Sequence, residues 1–240
     1  MRKVFLLMIL LLGSLFLCSS AQAMPIEPFS YGLTFSGDSP VGDAPWLTAT
    51  FANDVTDVNK VTLTLEANLD PTQFISEVYF NFALENSLKN LDITSSDTEV
   101  QNIQWGQKKN KKDTWGPDKY KADGDGYFDI LISFGTSNSA DRFDNSDSLI
   151  FTFVLDGLTA ESFNVPSENS PTGYLSAAHV QAIPLDPSDY YLDKDGNTVT
   201  TTSGWIAPGT APVPEPATMF LFGGGLIGLA LVGRKKFRKR

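Results

Sequence analysis

The chain has 240 residues, a formal net charge of −10 at pH 7, one cysteine and one histidine. An acidic chain is unsuited to binding nucleic acid or anionic lipid, because both carry negative charge. A single cysteine excludes an intramolecular disulfide framework, and one histidine beside one cysteine excludes the usual zinc ligand sets.

The chain begins with a pattern typical of a secretory signal peptide, residues 1–23. A short basic region precedes an apolar run over residues 4–17, and Ala21 and Ala23 form an A-x-A site. We therefore expect signal peptidase to cleave after Ala23. A first transmembrane helix is an alternative, although the apolar run is shorter than the roughly 20 residues of a span. A lipoprotein with lipid on Cys18 is the other alternative.

The dominant hydrophobic period in the middle of the chain is two, which is the period of a β-strand. Apolar residues alternate with other residues over 61–69, 78–84, 128–134 and 149–155, and further strands are expected over 30–36, 46–53, 173–183 and 197–206. Asp-Pro and Asp-Gly pairs between these segments are turn formers. The pattern predicts an all-β fold, a single antiparallel β-sandwich of jelly-roll type over residues 24–199, with one helical turn at 159–163.

A run of Asp and Gly residues contains the strongest candidate cation site. Asp123, Asp125 and Asp129 stand at relative positions 1, 3 and 7, and the Tyr127 carbonyl is a further oxygen, which is the ligand chemistry of Ca²⁺. The segment departs from an EF-hand, since Phe134 stands where a bidentate glutamate belongs. The alternative is a tight Asp-Gly turn that enters a strand. No other cofactor is indicated.

A lysine-rich segment at residues 105–121 is the candidate glycan-binding loop. It contains six lysines together with Trp105, Trp115 and Tyr120. Ammonium groups beside aromatic rings are suited to an acidic polysaccharide. The alternative is a solvated loop whose tryptophans pack on the edge of the sheet.

The sequence does not indicate an enzyme. His179 is the only histidine, and although Ser176 precedes it by three positions, no G-x-S-x-G motif is present. Cleavage after Ala23 leaves no cysteine in the mature part. A glycosidase needs only two carboxylates, so that activity stays open.

The C-terminus has three parts. Pro214, Glu215 and Pro216 precede an uncharged apolar stretch at residues 218–232, and six basic residues follow it within 234–240. Because basic residues stay on the cytoplasmic side, we expect a transmembrane helix over 218–232 with the β domain outside the inner membrane.

This C-terminal pattern resembles the PEP-CTERM sorting signal over residues 212–240. The resemblance implies that exosortase, a membrane-embedded cysteine-type transpeptidase, recognises and processes the tail. It also implies a link to bacteria that make exopolysaccharide and grow as biofilms. An ordinary tail anchor is the alternative. A weaker resemblance, to a body pattern common among PEP-CTERM proteins, covers residues 128–206 and implies no activity.

The part between the two ends, residues 24–213, carries most of the negative charge. It keeps 10 of the 18 Lys and Arg residues and 27 of the 28 Asp and Glu residues, which is a net charge of −17. Residues 200–211, rich in Thr, Pro, Gly and Ala, are predicted to be a linker to the sorting signal.

Together these features predict an exported, non-enzymatic cell-surface or matrix protein with a structural or adhesive role in exopolysaccharide. The expected partners are signal peptidase, exosortase, the inner membrane before processing, and extracellular polysaccharide. A carbohydrate-binding module is the first alternative, which a flat strip of exposed aromatic residues would favour. A secreted glycan-active enzyme is the second, which a cleft with two opposed carboxylates would favour.

Overall fold

The computed structural model describes residues 26–107, 115–123, 125–137, 141–168 and 172–209. Within these residues the protein is all-β, with short 3-10 turns at Glu85–Asn90, Ala160–Phe163 and Pro187–Asp189. The strands are β1 Phe29–Gly37, β2 Leu47–Asn53, β3 Lys60–Ala67, β4 Phe74–Phe80, β5 Asp92–Ser95, β6 Val100–Trp105, β7 Tyr120–Lys121, β8 Tyr127–Phe128, β9 Ile130–Phe134, β10 Phe143–Asp144, β11 Ser148–Val154, β12 Ser176–Pro184, β13 Tyr191–Leu192, β14 Thr198–Val199 and β15 Thr201–Pro208.

Eleven of the described strands form one antiparallel sheet. Its hydrogen-bonded order is β5–β11–β3–β2–β1–β15–β12–β4–β9–β6, and β10 pairs beside β4. The edge strands β5 and β6 approach each other, so the sheet is nearly closed. Two separate pairs, β7–β8 and β13–β14, lie outside this sheet. The predicted all-β antiparallel fold is confirmed. The two packed layers expected of a sandwich are here two halves of one continuous sheet.

Alternation along the strands separates a buried face from an outer face. In β3, Val61, Leu63 and Leu65 are fully buried, whereas the threonines between them are partly exposed. Successive side chains of a strand point to opposite faces, so this pattern directs one row of each strand into the core. The other row forms the outer face of the sheet.

An aromatic cluster joins distant parts of the sheet across the core. Phe51 of β2 stacks on Phe163 with ring centroids 4.1 Å apart and lies 5.2 Å from Phe80 of β4. Three strands separate β2 from β4 in the sheet order. The Phe51–Phe80 contact therefore crosses the interior, and the cluster holds the two halves together. Phe163 comes from the predicted helical turn, whose capping residue Thr159 donates its N–H to Ser162 Oγ at 3.3 Å.

The predicted linker at 200–211 needs a correction. Residues 201–208 form β15, which pairs with β1 on one side and β12 on the other. A small residue is needed there, because a Cβ on Gly204 would lie 1.9 Å from the Asp38 carbonyl oxygen. The β domain thus extends at least to Pro208. The composition resembles a linker because close strand packing uses the same small residues.

The predicted signal peptide, its Ala21 and Ala23 cleavage site and the transmembrane helix 218–232 lie outside the described residues. Among the residues described, no helix has the length and apolar character needed to cross a membrane.

Replacing Phe51 with alanine should destabilise the protein by about 3–5 kcal/mol, because the change opens a cavity between the two halves of the sheet. Urea unfolding at pH 7 measures the loss. Val55→Ala is the control, since this side chain is 98 % exposed, and it should change stability by less than about 0.5 kcal/mol. Equal effects of the two substitutions would contradict the packing account.

Candidate functional site

A row of side chains crosses the outer face of the sheet. On β12, His179 stands opposite Trp205 of β15 and also opposite Glu77 of β4. Glu77 in turn stands opposite Ser133 of β9, and Ser133 opposite Asn102 of β6. Directly opposite residues of antiparallel strands share a face of the sheet. We call these five residues the outer row.

A groove of about 690 Å³ lies over the outer row at β4, β9 and β6. Most of its lining side chains form hydrogen bonds without carrying a charge, namely Gln101, Asn102, Gln104, Ser133 and Thr136. Glu77 is the charged residue of the lining. Amide and hydroxyl groups both donate and accept hydrogen bonds. The groove can therefore bind a ligand that presents donors and acceptors along its length.

His179 is fixed by a stacked tryptophan and by a serine. Its ring is stacked on Trp205 with centroids 4.5 Å apart at 16°. The Ser76 hydroxyl lies 3.0 Å from His179 Nδ1, at a bulge in the β4–β12 pairing. Burial lowers the pKa of His179, and the carboxylates of Glu77 and Asp123 oppose this shift. The ring is therefore neutral at pH 7.

Trp205 belongs to an aromatic cluster on the outer face. Its ring centroid lies 5.6 Å from Tyr79 and 6.4 Å from Phe35. The Tyr79 hydroxyl donates to Glu77 Oε2 at 2.6 Å, and burial together with this carboxylate raises the pKa of Tyr79. Trp205 and His179 are partly exposed, and they continue the outer row from Glu77 towards β15.

The β7–β8 pair covers one end of this outer face. Tyr120 and Phe128 pack with Tyr79 and Ala177 in a second apolar cluster, apart from the main core. The Phe128 ring lies 5.7 Å from the Tyr79 ring. This cover fixes the segment that bears the predicted cation ligands.

The three carboxylates of the predicted calcium site differ in burial and in hydrogen-bond partners. Asp129 is buried, and its two oxygens accept the N–H groups of Phe82 at 2.9 Å and Asp118 at 2.8 Å. Asp125 accepts the Ser167 hydroxyl at 2.8 Å, whereas Asp123 is exposed.

Tyr127, the fourth predicted ligand, donates its N–H to the Glu168 carbonyl at 2.9 Å. In the described part of the chain, no group of three or more His, Cys, Asp or Glu side chains is placed to hold a metal ion. The structure therefore does not bring Asp123, Asp125 and Asp129 together as a ligand set. Asp125 and Asp129 instead bind neighbouring segments of the chain.

The predicted glycan-binding aromatics do not form one exposed strip. Trp105 packs against the main core, and Tyr120 is buried with its hydroxyl donating to the Gln107 carbonyl at 2.5 Å. Trp115 is 42 % exposed. Sequence reasoning missed Trp205 and His179 as neighbours, because the register between β12 and β15 brings them together.

Ser176 and His179 do not form a catalytic pair. Ser176 is fully buried and bonds to the Tyr31 hydroxyl and, at 2.5 Å, to the Tyr79 carbonyl. His179 lies on the outer face, three positions along the same strand, so the two side chains point to opposite sides of the sheet.

Comparison with known protein families assigns residues 212–236 to the PEP-CTERM protein-sorting motif. The chain carries a PEP-CTERM sorting motif. The motif includes Pro214, Glu215 and Pro216, which lie outside the described residues, and it implies processing by an exosortase. A PEP-CTERM chain is a secreted, membrane-transiting precursor, which supports an exported surface protein. No curated protein is similar enough to the chain to count as a match.

Burial raises the pKa of Asp129 to about 6, and the hydrogen bonds from Asp118 and Phe82 oppose this rise only in part. The folded protein therefore binds this proton more tightly than the unfolded chain does, and the contribution is lost as pH rises from about 4 through 6. We compare the unfolding free energies of wild type and Asp129→Asn. Their difference, wild type minus variant, should fall by roughly 3 kcal/mol between pH 4 and pH 7.

Urea unfolding across this pH range measures the difference. An exposed control, Asp156→Asn, should show no comparable fall. A wild-type minus Asp129→Asn difference that stays constant or increases with pH would contradict the assignment.

Proposed function

We propose that the exported β domain is a non-enzymatic surface or matrix protein that adheres to extracellular polysaccharide through the groove on its outer face. The observation that carries the proposal is the outer row, which sets amide and hydroxyl side chains in line with the partly exposed rings of Trp205 and His179. The sorting motif delivers the domain to the compartment where such polysaccharides are found.

The chemistry of the groove suits sugar rings. Sugar hydroxyls donate and accept hydrogen bonds, as do the side chains of Asn102, Gln104 and Ser133. The apolar face of a sugar packs against aromatic rings, and the stacked, partly exposed pair of Trp205 and His179 stands at the end of the outer row. The groove is open and crosses several strands, so it is suited to a polymer rather than to an enclosed small molecule.

A secreted glycan-active enzyme is the competing function, and the carboxylate of Glu77 lies in the groove, opposite His179 in the β4–β12 ladder. A glycosidase uses two carboxylates on either side of the scissile bond. Incubation of the protein with a bound polysaccharide distinguishes the two functions. We expect the chain length of the polymer to stay unchanged, whereas release of new reducing ends would make Glu77 a candidate catalytic group and overturn the non-enzymatic proposal.

Trp205→Ala should weaken polysaccharide binding by about tenfold, because the substitution removes the aromatic surface at the β15 end of the outer row. Affinity electrophoresis in gels that contain a panel of neutral, acidic and basic polysaccharides measures the change. Trp115→Ala is the matched control, since this exposed tryptophan lies outside the outer row. Circular dichroism checks that both variants fold.

Two results would contradict the outer row as the binding surface. One is a folded Trp205→Ala variant that is retarded as strongly as wild type. The other is a loss of retardation confined to Trp115→Ala, which would move the site to the lysine-rich loop.

Replacing Pro214, Glu215 and Pro216 together with alanine should leave a full-length, membrane-held form and reduce surface display. The reason is that these residues form the motif that an exosortase reads. Mass spectrometry of the protein from a host with its own exosortase measures the change. An unchanged mature mass would count decisively against exosortase processing.

A further inference from the structure

We propose that copies of the protein join end to end, with the β13–β14 hairpin of one copy, residues 186–199, bound to the lysine-rich residues 108–114 of the next. The hairpin is the docking surface, and a second copy of this chain is its partner. The contact is distinct from the groove, and polysaccharide adhesion does not depend on it.

The β13–β14 hairpin extends beyond the main sheet and exposes three large side chains. Leu185 donates its N–H to the Thr200 carbonyl at 2.9 Å, so the hairpin continues the β12–β15 ladder outward. Among the described strands, β13 and β14 pair only with each other. Tyr190, Tyr191 and Leu192 are 43, 57 and 67 % exposed. Large apolar side chains that are exposed together on a projecting hairpin indicate an interaction surface.

Carboxylates surround these exposed side chains. Residues 186–199 contain four aspartates and one lysine, which is a net charge of −3. Asp186 and Asp193 accept N–H groups of the hairpin's own backbone. Asp189 and Asp195 are exposed, so their carboxylates are available to a partner of opposite charge. The hairpin is therefore complementary to a partner that offers cations beside apolar surface.

The lysine-rich residues 108–114 have this complementary chemistry. They contain four lysines and one aspartate, which is a net charge of +3. Trp115 comes directly after them and is 42 % exposed. Ammonium groups pair with carboxylates and with the faces of tyrosine rings, and tryptophan is a frequent anchor of protein interfaces. Opposite charge and exposed aromatic surface thus point to a contact between this segment and the hairpin.

The two surfaces lie at opposite ends of the main sheet. A row of directly paired residues crosses four strands near the segment: Trp105, Ile130, Phe80 and Ser176. Ser176 is the first residue of β12, whereas the hairpin follows Pro184, the last residue of the same strand. The two levels are therefore about 26 Å apart, at roughly 3.3 Å per residue of strand.

The segment is too short to reach the hairpin of its own chain. Gly116 donates its N–H to the Gly106 carbonyl at 3.0 Å, which brings both ends of the intervening chain to one place. Nine residues lie between these glycines. Because the chain must return, only about half of them can lead outward, and these span at most roughly 16 Å. The hairpin lies farther away along the strands and three strands away across the sheet, so the contact forms between copies.

A contact between opposite ends of identical copies is heterologous. It leaves one hairpin and one lysine-rich segment free after each addition, so the domains add in a row instead of closing into a pair. The acidic domains repel one another as a whole, but at physiological ionic strength charges are screened beyond about 8 Å. Groups that pair at the contact lie closer than this and keep their attraction.

Cross-linking of single-cysteine variants tests the contact, because Cys18 is the only cysteine and lies in the predicted signal peptide. The protein is the signal-cleaved full chain in detergent, at about 0.15 M salt. Thr198→Cys places a thiol on the exposed hairpin, and Asn110→Cys places one among the lysines. With a short bismaleimide we expect a cross-linked dimer when the two variants are mixed, and little product from either variant alone.

A chain that carries both cysteines separates contact between copies from contact within one chain. We expect a ladder of dimers, trimers and larger products, since every copy offers a hairpin and a lysine-rich segment. A link within one chain, which leaves the mass of a monomer, would contradict the separation of the two surfaces.

Asp189→Lys together with Asp195→Lys on the hairpin variant should reduce the mixed cross-link at least about tenfold, because both sides of the contact are then positive. Lys109→Glu together with Lys111→Glu on the partner variant should restore it, since opposite charges meet again. Both aspartates are exposed, so the substitutions leave the core intact. Failure of the second pair to restore the cross-link would contradict the charge pairing.

Asp57→Lys together with Asp156→Lys is the matched control. It makes the same change of charge at exposed turns that follow β2 and β11. It should leave the mixed cross-link within about twofold of the unmodified pair.

Three results would overturn the end-to-end contact. Products from either single-cysteine variant alone, in the amount that the mixture gives, would indicate contact between like surfaces. A loss of cross-linking that the control shares would indicate unspecific charge effects. Cross-linking that needs added host polysaccharide, or no cross-linking at all, would remove the direct contact between copies and leave the proposed function of the groove unaffected.

Discussion

The packing of Phe51 against Phe80 and Phe163 is the interaction on which the rest of the structure depends. The contacts join β2 to β4 across the interior, with ring centroids 5.2 and 4.1 Å from that of Phe51. Because one face of every major strand must serve this core, alternation forces the other face outward. The outer row is thus a consequence of core packing, since a one-residue slip of β12 would bury His179 and expose its apolar neighbours.

Both ends of the described domain leave it at the same place. Tyr31 near the start of β1 pairs with Pro208 at the end of β15, and Gly209 donates its N–H to the Ser30 carbonyl at 3.3 Å. The sorting motif begins at residue 212, and four residues from Pro208 span at most about 14 Å. Before processing, the domain is therefore held close to its sorting signal.

The period of two predicted the strands well, because a half-buried strand repeats apolar residues, as Val61, Leu63 and Leu65 show. The strand expected over 197–206 overlaps β15, whereas the linker predicted from composition over 200–211 was wrong, because small residues such as Gly204 pack there against the Asp38 backbone. The candidate site was harder to predict. Asp129 carries carboxylate chemistry in the sequence, but its burial and its bonds to Phe82 and Asp118 appear only in the fold. The outer row was missed because it depends on register across five strands, which no local pattern contains.

Nuclear magnetic resonance of the isotope-labelled protein, titrated with oligosaccharides of a polysaccharide that retards it in affinity electrophoresis, tests the central claim most directly, because each residue of the sheet reports separately. The account predicts that dose-dependent chemical shift changes concentrate on Asn102, Ser133, Glu77, His179 and Trp205, which follow one another across five strands. Signals of the opposite, core-facing rows should stay in place. Changes that concentrate on the 105–121 segment, with the outer row unaffected, would contradict the account.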